Sequence, residues 1–323
     1  MTDFLRAVIL GIVQGLTEFI PVSSSGHLVL LPYLTGWERP GLAFDVALHI
    51  GTLFAVVAYF WRELLAMVTG LLGLDRTPTG LVYRRLGLLI VLASVPVGVA
   101  GLTLRSFFEE VFATPAVVPV FLLLTALLLT AGERWRDRRV PGANPRPAPT
   151  ADEGTRPEAR AAAATARSTA VAGTAVPTRL PTGEDSSDPA GLDLSQVGVR
   201  QAVIIGLLQA LALFPGVSRA GSTIVAGLFS GLTREAATRF SFMLSLPALV
   251  GAGILSIGDL TSPGIYSGAA VLGGVVAAAV SGYLAIRFLV RLVARDRLTG
   301  FALYCVAAAA VGFAGYLVMG SPA

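Results

Sequence analysis

Two stretches of this chain, 7–31 and 202–228, are apolar enough for a bilayer yet broken midway by proline, glycine and serine, as EFIPVSSSGHLVLL and ALFPGVSRAGSTIV. In lipid an unsatisfied backbone N–H or C=O costs several kcal/mol, so broken backbone at that depth must be buried in protein or line a wet cavity. Both stretches therefore read as re-entrant helical hairpins, not as spans. They are also copies of one another. At a constant offset of 195, residues 7–28 match 202–223 at ten of 22 positions without a gap. The pairs include Gly11 with Gly206, Gln14 with Gln209, Phe19 with Phe214, Val22 with Val217, Ser23 with Ser218 and Gly26 with Gly221.

Six further segments are long and apolar enough to cross a bilayer core, which needs about 20 residues per helix. They lie at 44–61, 86–104, 115–131, 240–258, 266–286 and 300–318. Only 14% of the residues are charged, where a soluble domain carries about a quarter. Nineteen of the 44 charged residues fall between Glu133 and Arg200. These figures exclude a water-soluble enzyme and predict an all-α polytopic membrane protein in three parts. The parts are a first membrane repeat (1–132), a linker (133–199) and a second membrane repeat (200–323). The linker is rich in Ala, Pro, Thr, Gly and Ser, cannot bury enough apolar surface to fold alone, and is expected to be disordered.

Each hairpin precedes three spans. Three is odd and a re-entrant hairpin adds no crossing, so the second repeat is expected to be inverted relative to the first, with the hairpins meeting near the midplane. The arginines agree with that topology. Ten Arg lie in the loops assigned to the linker's side (62, 76, 84, 85, 234, 239, 287, 291, 295, 297), against Arg6, Arg39 and Arg105 on the other. The positive-inside rule then makes the linker cytoplasmic and turns both termini outward. The net charge of +4 comes from 24 Arg with no Lys and reads as composition bias, not a nucleic-acid patch. Cys305, the single cysteine, excludes a disulfide framework, and MTDFLR lacks the features of a secretory signal.

Ionisable groups at membrane depth are expensive and point to function. Those in the apolar segments are Glu18, His27, Asp45, His49 and Arg219. Gln14 and Glu18 share one helix face at i and i+4. Pro21 ends that helix, and Ser23, Ser24, Ser25 and Gly26 begin the next, where hydroxyls suit capping and the free N–H groups suit an anion. His27 lies in the same first turn. The second hairpin repeats this design with Ser218, Arg219, Ala220, Gly221, Ser222 and Thr223, placing Arg219 where the first has Ser24. A guanidinium in a dry cavity wants a carboxylate or a phosphate. A buried structural Glu18–Arg219 ion pair is the plainer alternative. Asp45 and His49, at i and i+4, serve either interfacial hydrogen bonding or support of the site from behind, and packing alone is an alternative use of Pro21, Gly26, Pro215 and Gly221.

QGLTEFIPVSSSGH (14–27) and PGVSRAGST (215–223) closely resemble the signature segments of the bacterial undecaprenyl-diphosphatase family of the bacitracin-resistance type. The resemblance covers both repeats and excludes the linker. It implies an enzyme of the bacterial inner membrane that removes the terminal phosphate of undecaprenyl diphosphate, recycling the carrier lipid for cell-wall synthesis. It assigns the essential acidic residue to Glu18, the histidine to His27, the serine to Ser24 and the phosphate-binding arginine to Arg219. On this reading Ser23, Ser25, Ser218, Ser222 and Thr223 assist Arg219 in holding the diphosphate. Glu18, with Gln14, binds a divalent cation, Mg²⁺ or Ca²⁺. His27 acts as general acid/base or nucleophile, with Ser24 the rival nucleophile.

The first motif position of the family is Glu or Gln; Gln14 here removes a two-carboxylate metal site, and Ala220 removes a hydroxyl found in some members. The linker is long for the family. A type-2 phosphatidic-acid phosphatase is excluded, because the histidine that family requires seven positions after Ser218 is Val225 here. An inverted-repeat transporter or flippase is the competing class, and a channel a weaker third. The sequence leaves the oligomeric state, including a homodimer, open.

Overall fold

The computed structural model describes residues 2–112, 114–139, 191–255, 265–293 and 297–320. Among the described residues the chain is helical, without strands. In the first half, α1 (Asp3–Phe19) and α2 (Ser24–Thr35) form a short hairpin, followed by α3 (Leu42–Leu71), α4 (Pro78–Thr103), the short α5 (Arg105–Phe112) and α6 (Val118–Arg139). In the second half α7 (Val199–Ala210) and α8 (Arg219–Phe229) form the matching hairpin, followed by α9 (Arg234–Leu255), α10 (Gly268–Val293) and α11 (Thr299–Met319). The helices α3, α4, α6, α9, α10 and α11 are each long and apolar enough to cross a membrane. All six expected spans are therefore present, and this is a multi-pass membrane protein.

Local chemistry places the hairpin breaks. Ile20 leaves the helical region because Pro21 follows it. Ser23 then caps α2, its Oγ accepting from the Gly26 N–H at 3.3 Å. One offset away, Ser218 caps α8, its Oγ accepting from the Gly221 N–H at 3.0 Å. Each break is braced from the other half. Thr125 on α6 donates its hydroxyl to the Gly216 carbonyl at 2.9 Å and accepts from the Ser218 N–H at 3.0 Å. Cys305 on α11 sets its thiol 3.8 Å from the Pro21 carbonyl. Backbone groups that the broken helices leave open thus find partners inside the protein.

The halves interlock reciprocally. α1 lies along α10 of the second half, and α7 along α4 of the first. Paired glycines make both approaches close. A Cβ on Gly11 would sit 2.2 Å from the Gly274 carbonyl oxygen, and one on Gly206 would sit 2.5 Å from that of Ala93. In a bilayer small residues at a helix interface bring backbones together where larger side chains could not.

Buried ion pairs also join the halves. Arg239 on α9 meets Glu63 on α3 at 2.7 Å, and Arg234 meets Glu133 on α6, whose carboxylate also accepts from the Leu298 N–H at 3.1 Å. The sequence reading put Arg234 and Arg239 in loops. The structure buries them because α3, α6 and α9 run past the apolar segments and bring their charged ends together. Glu133 and Arg136 are buried in α6, and Leu192 pairs with the turn at Leu232 just before α7. Residues 140–190, where disorder is expected, lie outside the described residues.

Candidate functional site

The site forms where the two hairpin breaks meet. Glu18, at the end of α1, and Arg219, first residue of α8, come from sequence positions 201 apart, yet Arg219 Nη2 lies 2.5 Å from Glu18 Oε1. The Glu18 side chain is only 6% exposed and that of Arg219 14%. The second guanidinium nitrogen, Nη1, donates to the Ser241 carbonyl of α9 at 3.2 Å, which fixes the plane of the fork. The other carboxylate oxygen, Oε2, accepts from Ser24 Oγ at 2.5 Å and from Gln14 Nε2 at 3.1 Å. A hydroxyl bonded so closely to a carboxylate is a charge-assisted contact of the strong kind. Gln14 Oε1 is buried with no hydrogen-bond partner among the described residues.

The two histidines of the chain share one local arrangement, and His49 is the one that reaches Glu18. His27 Nδ1 lies 2.7 Å from the Ser23 carbonyl, and His49 Nδ1 lies 2.7 Å from the Asp45 carbonyl. A carbonyl can only accept, so Nδ1 carries the hydrogen in each ring and Nε2 is the nitrogen left for other partners. His49 Nε2 faces Glu18 Oε2 at 3.7 Å. His27 Nε2 faces the hydroxyl of Tyr304 at 2.8 Å.

The candidates proposed from sequence separate by partner. Glu18, Ser24 and Arg219 are in direct contact, and Gln14 joins them. Ser23 and Ser218 serve as helix caps, and Ser25 Oγ lies 3.3 Å from Ser23 Oγ. Thr223 donates to the Arg219 carbonyl at 2.8 Å and meets Ser241 Oγ at 2.6 Å, so it supports the arginine's own turn. Ser222 Oγ is buried with no hydrogen-bond partner among the described residues. His49, which the sequence leaves between interfacial hydrogen bonding and a supporting role, lies beside Glu18, while Tyr304, Ser241 and Thr125 are not distinguished by the sequence. The Asp45–His49 spacing was the available signal for His49. The other three are ordinary polar residues in apolar helices and carry no local signal.

The fold and site define a class: a polytopic membrane protein with a polar centre of carboxylate, guanidinium, imidazole and hydroxyl groups built from two broken-helix hairpins. The chain belongs to the family described as bacitracin resistance protein BacA, whose sequence model matches residues 7–311. It is 38% identical to a Geobacter sulfurreducens undecaprenyl-diphosphatase over 310 residues, covering 94% of each chain. It is 39% identical to the Mycobacterium avium protein of the same description over 323 residues, covering 95% of each. A Thermomicrobium roseum undecaprenyl-diphosphatase is 37% identical, with 94% of each covered.

Proposed function

We propose that this chain hydrolyses undecaprenyl diphosphate to undecaprenyl phosphate and inorganic phosphate, returning the carrier lipid to cell-wall synthesis and thereby conferring bacitracin resistance. The observation that carries the reading is the Glu18–Arg219 contact across the two hairpins, ringed by Ser24, Gln14 and the His49 imidazole. A purely structural ion pair needs neither a hydroxyl bonded to its carboxylate nor an amide oxygen beside it that has no partner among the described residues.

Arg219 offers the planar fork that suits a phosphate, and Glu18 and the Ser241 carbonyl hold that fork in place. Ser222 and Ser25 supply further hydroxyls, and the N-terminus of α8 adds its N–H groups. His27 Nε2, carrying the lone pair, takes a proton from the attacking water. The water oxygen bonds to the terminal phosphorus, the anhydride bond breaks, and undecaprenyl phosphate departs with the bridging oxygen. Ser24, whose hydrogen is committed to Glu18, positions the carboxylate; a phosphoserine trapped at Ser24 would reverse that assignment.

Glu18 and the unpartnered Gln14 Oε1 fit a divalent cation, being hard oxygen donors one helical turn apart. Among the described residues no three His, Cys, Asp or Glu side chains form a self-contained metal cage. The cation would therefore be shared with diphosphate oxygens. When bound it neutralises phosphate charge.

The reciprocal packing of the halves, with the arginine asymmetry, supports an inverted repeat in the inner membrane. The linker would be cytoplasmic, both termini outside, and the site open to the outer side. Reporters inserted at Ala162 and fused after Ala323 should then report opposite sides; a common side would overturn the inversion. The activity is tested by phosphate release from a polyprenyl diphosphate by purified protein in detergent, with and without a chelator. Absence of release at every Mg²⁺ and Ca²⁺ concentration would leave a binding or transport protein.

A further inference from the structure

His27 is the group proposed to act through Nε2, and that nitrogen already has a partner from the far end of the chain. The Tyr304 hydroxyl lies 2.8 Å from it, and the two rings stack with centroids 5.6 Å apart and planes 12° from parallel. Tyr304 stands on α11, a span of the second half, one residue before Cys305, which reaches the Pro21 carbonyl in the break of the first hairpin. The same turn of α11 thus braces the backbone of the break and touches the imidazole just beyond it.

We infer that Tyr304 is a positioning residue for the hydrolysis, which rests on the reading of His27 given above. With Nδ1–H donated to the Ser23 carbonyl, Nε2 of the neutral ring can only accept, so the phenol donates. The imidazole is then fixed at both nitrogens: by the backbone carbonyl on one side and by the phenol on the other. Two opposed hydrogen bonds and a stacked face define both the tautomer and the ring plane. Fixing the orientation of a base in this way raises the fraction of bound substrate that meets it in reactive geometry. Tyr304 is 47% exposed, unlike Gln14 and Glu18 deeper in the site. The phenol bond sets the tautomer and ring plane before substrate arrives, and a water or phosphate oxygen that replaces it at Nε2 meets a ring still held by the stack and the Ser23 contact.

The test exploits a chain with only two histidines. Full-length protein carrying ¹⁵N-labelled histidine, in detergent micelles, gives two sets of ring signals, and His27→Gln assigns them by removing one. The inference expects His27 to show a protonated Nδ1 and a hydrogen-bonded, unprotonated Nε2. Tyr304→Phe keeps the stack and removes the hydroxyl. It should move the His27 Nε2 signal downfield, toward that of a free lone pair, and leave His49 unchanged. In the phosphate-release assay the same variant should lower kcat about ten-fold, the scale of one lost hydrogen bond, with KM within about two-fold. Tyr304→Leu, which also removes the stack, should lower kcat further.

An unshifted Nε2 signal in Tyr304→Phe, or a KM effect with unchanged kcat, would overturn the inference while leaving the role of His27 intact; a protonated Nε2 in the parent would overturn both. Normal turnover by His27→Gln would instead remove the catalytic reading of His27, and the positioning role with it, even where the ring contact persists in the spectrum.

Discussion

The two hairpins are the same backbone put to different uses. Both have an apolar first helix, a proline-bearing break and a serine cap, at positions related by one offset. Their divergent positions carry the chemistry. The first hairpin has Glu18, Ser24 and His27 where the second has Leu213, Arg219 and Ser222. The duplicated scaffold thus supplies an anionic, basic half and a cationic half to one centre, and neither hairpin alone holds a complete site. Gln14 and Gln209 make the same point more quietly. Both are fully buried, but Gln14 donates to Glu18 at 3.1 Å, whereas both polar atoms of Gln209 lack partners among the described residues.

The largest effect expected from breaking this complementarity is at Glu18. Glu18→Gln keeps the shape but removes the charge that holds Arg219 and receives Ser24. It should lower phosphate release by ~10³-fold or more across a Mg²⁺ and Ca²⁺ titration. Normal turnover at any metal concentration would make Glu18 structural. Arg219→Lys preserves charge on the opposite hairpin but loses the fork that bonds Glu18 and Ser241 together. A loss of about 10²-fold in kcat/KM is expected, on the scale of removing one preorganised donor.

The caps test whether the scaffolds are equivalent in stability as well as in design. Ser218 caps from extended backbone at φ −74°, so Ser218→Ala should cost ~1 kcal/mol in detergent unfolding experiments. Ser23 caps at φ 72°, a left-handed geometry that favours glycine. Ser23→Gly loses the side-chain bond but relieves the backbone, and its net effect should be within a few tenths of a kcal/mol. Equal losses at the two caps would show that the φ difference has no energetic weight.

The smallest effect is expected at Gln209. Gln209→Met removes two buried polar atoms without partners and should be neutral or stabilising by up to ~1 kcal/mol, with activity unchanged. The same substitution at Gln14 should reduce turnover, since that amide belongs to the Glu18 cluster. A matching loss at Gln209 would mean that the second glutamine has acquired a role of its own.

Local sequence was enough for the membrane class, the six spans and the repeat, because lipid imposes long apolar helices and tolerates broken backbone only where protein or a cavity satisfies it. It was also enough for the hairpin breaks and caps, which depend on Pro21, Ser23, Pro215 and Ser218 and their immediate neighbours. The motif resemblance put Glu18, Ser24, His27 and Arg219 on the page as a set. Tertiary structure alone decided which of them touch. The Glu18–Arg219 contact spans 201 residues, and the His27–Tyr304 contact spans 277. It also buried Glu63 with Arg239 and Glu133 with Arg234, pairs that read from sequence as helix ends and loops. A charge near the end of an apolar run looks the same in sequence whether it faces water or a partner. Only the reciprocal packing of the two halves brings α3, α6 and α9 together closely enough to bury those charges in pairs.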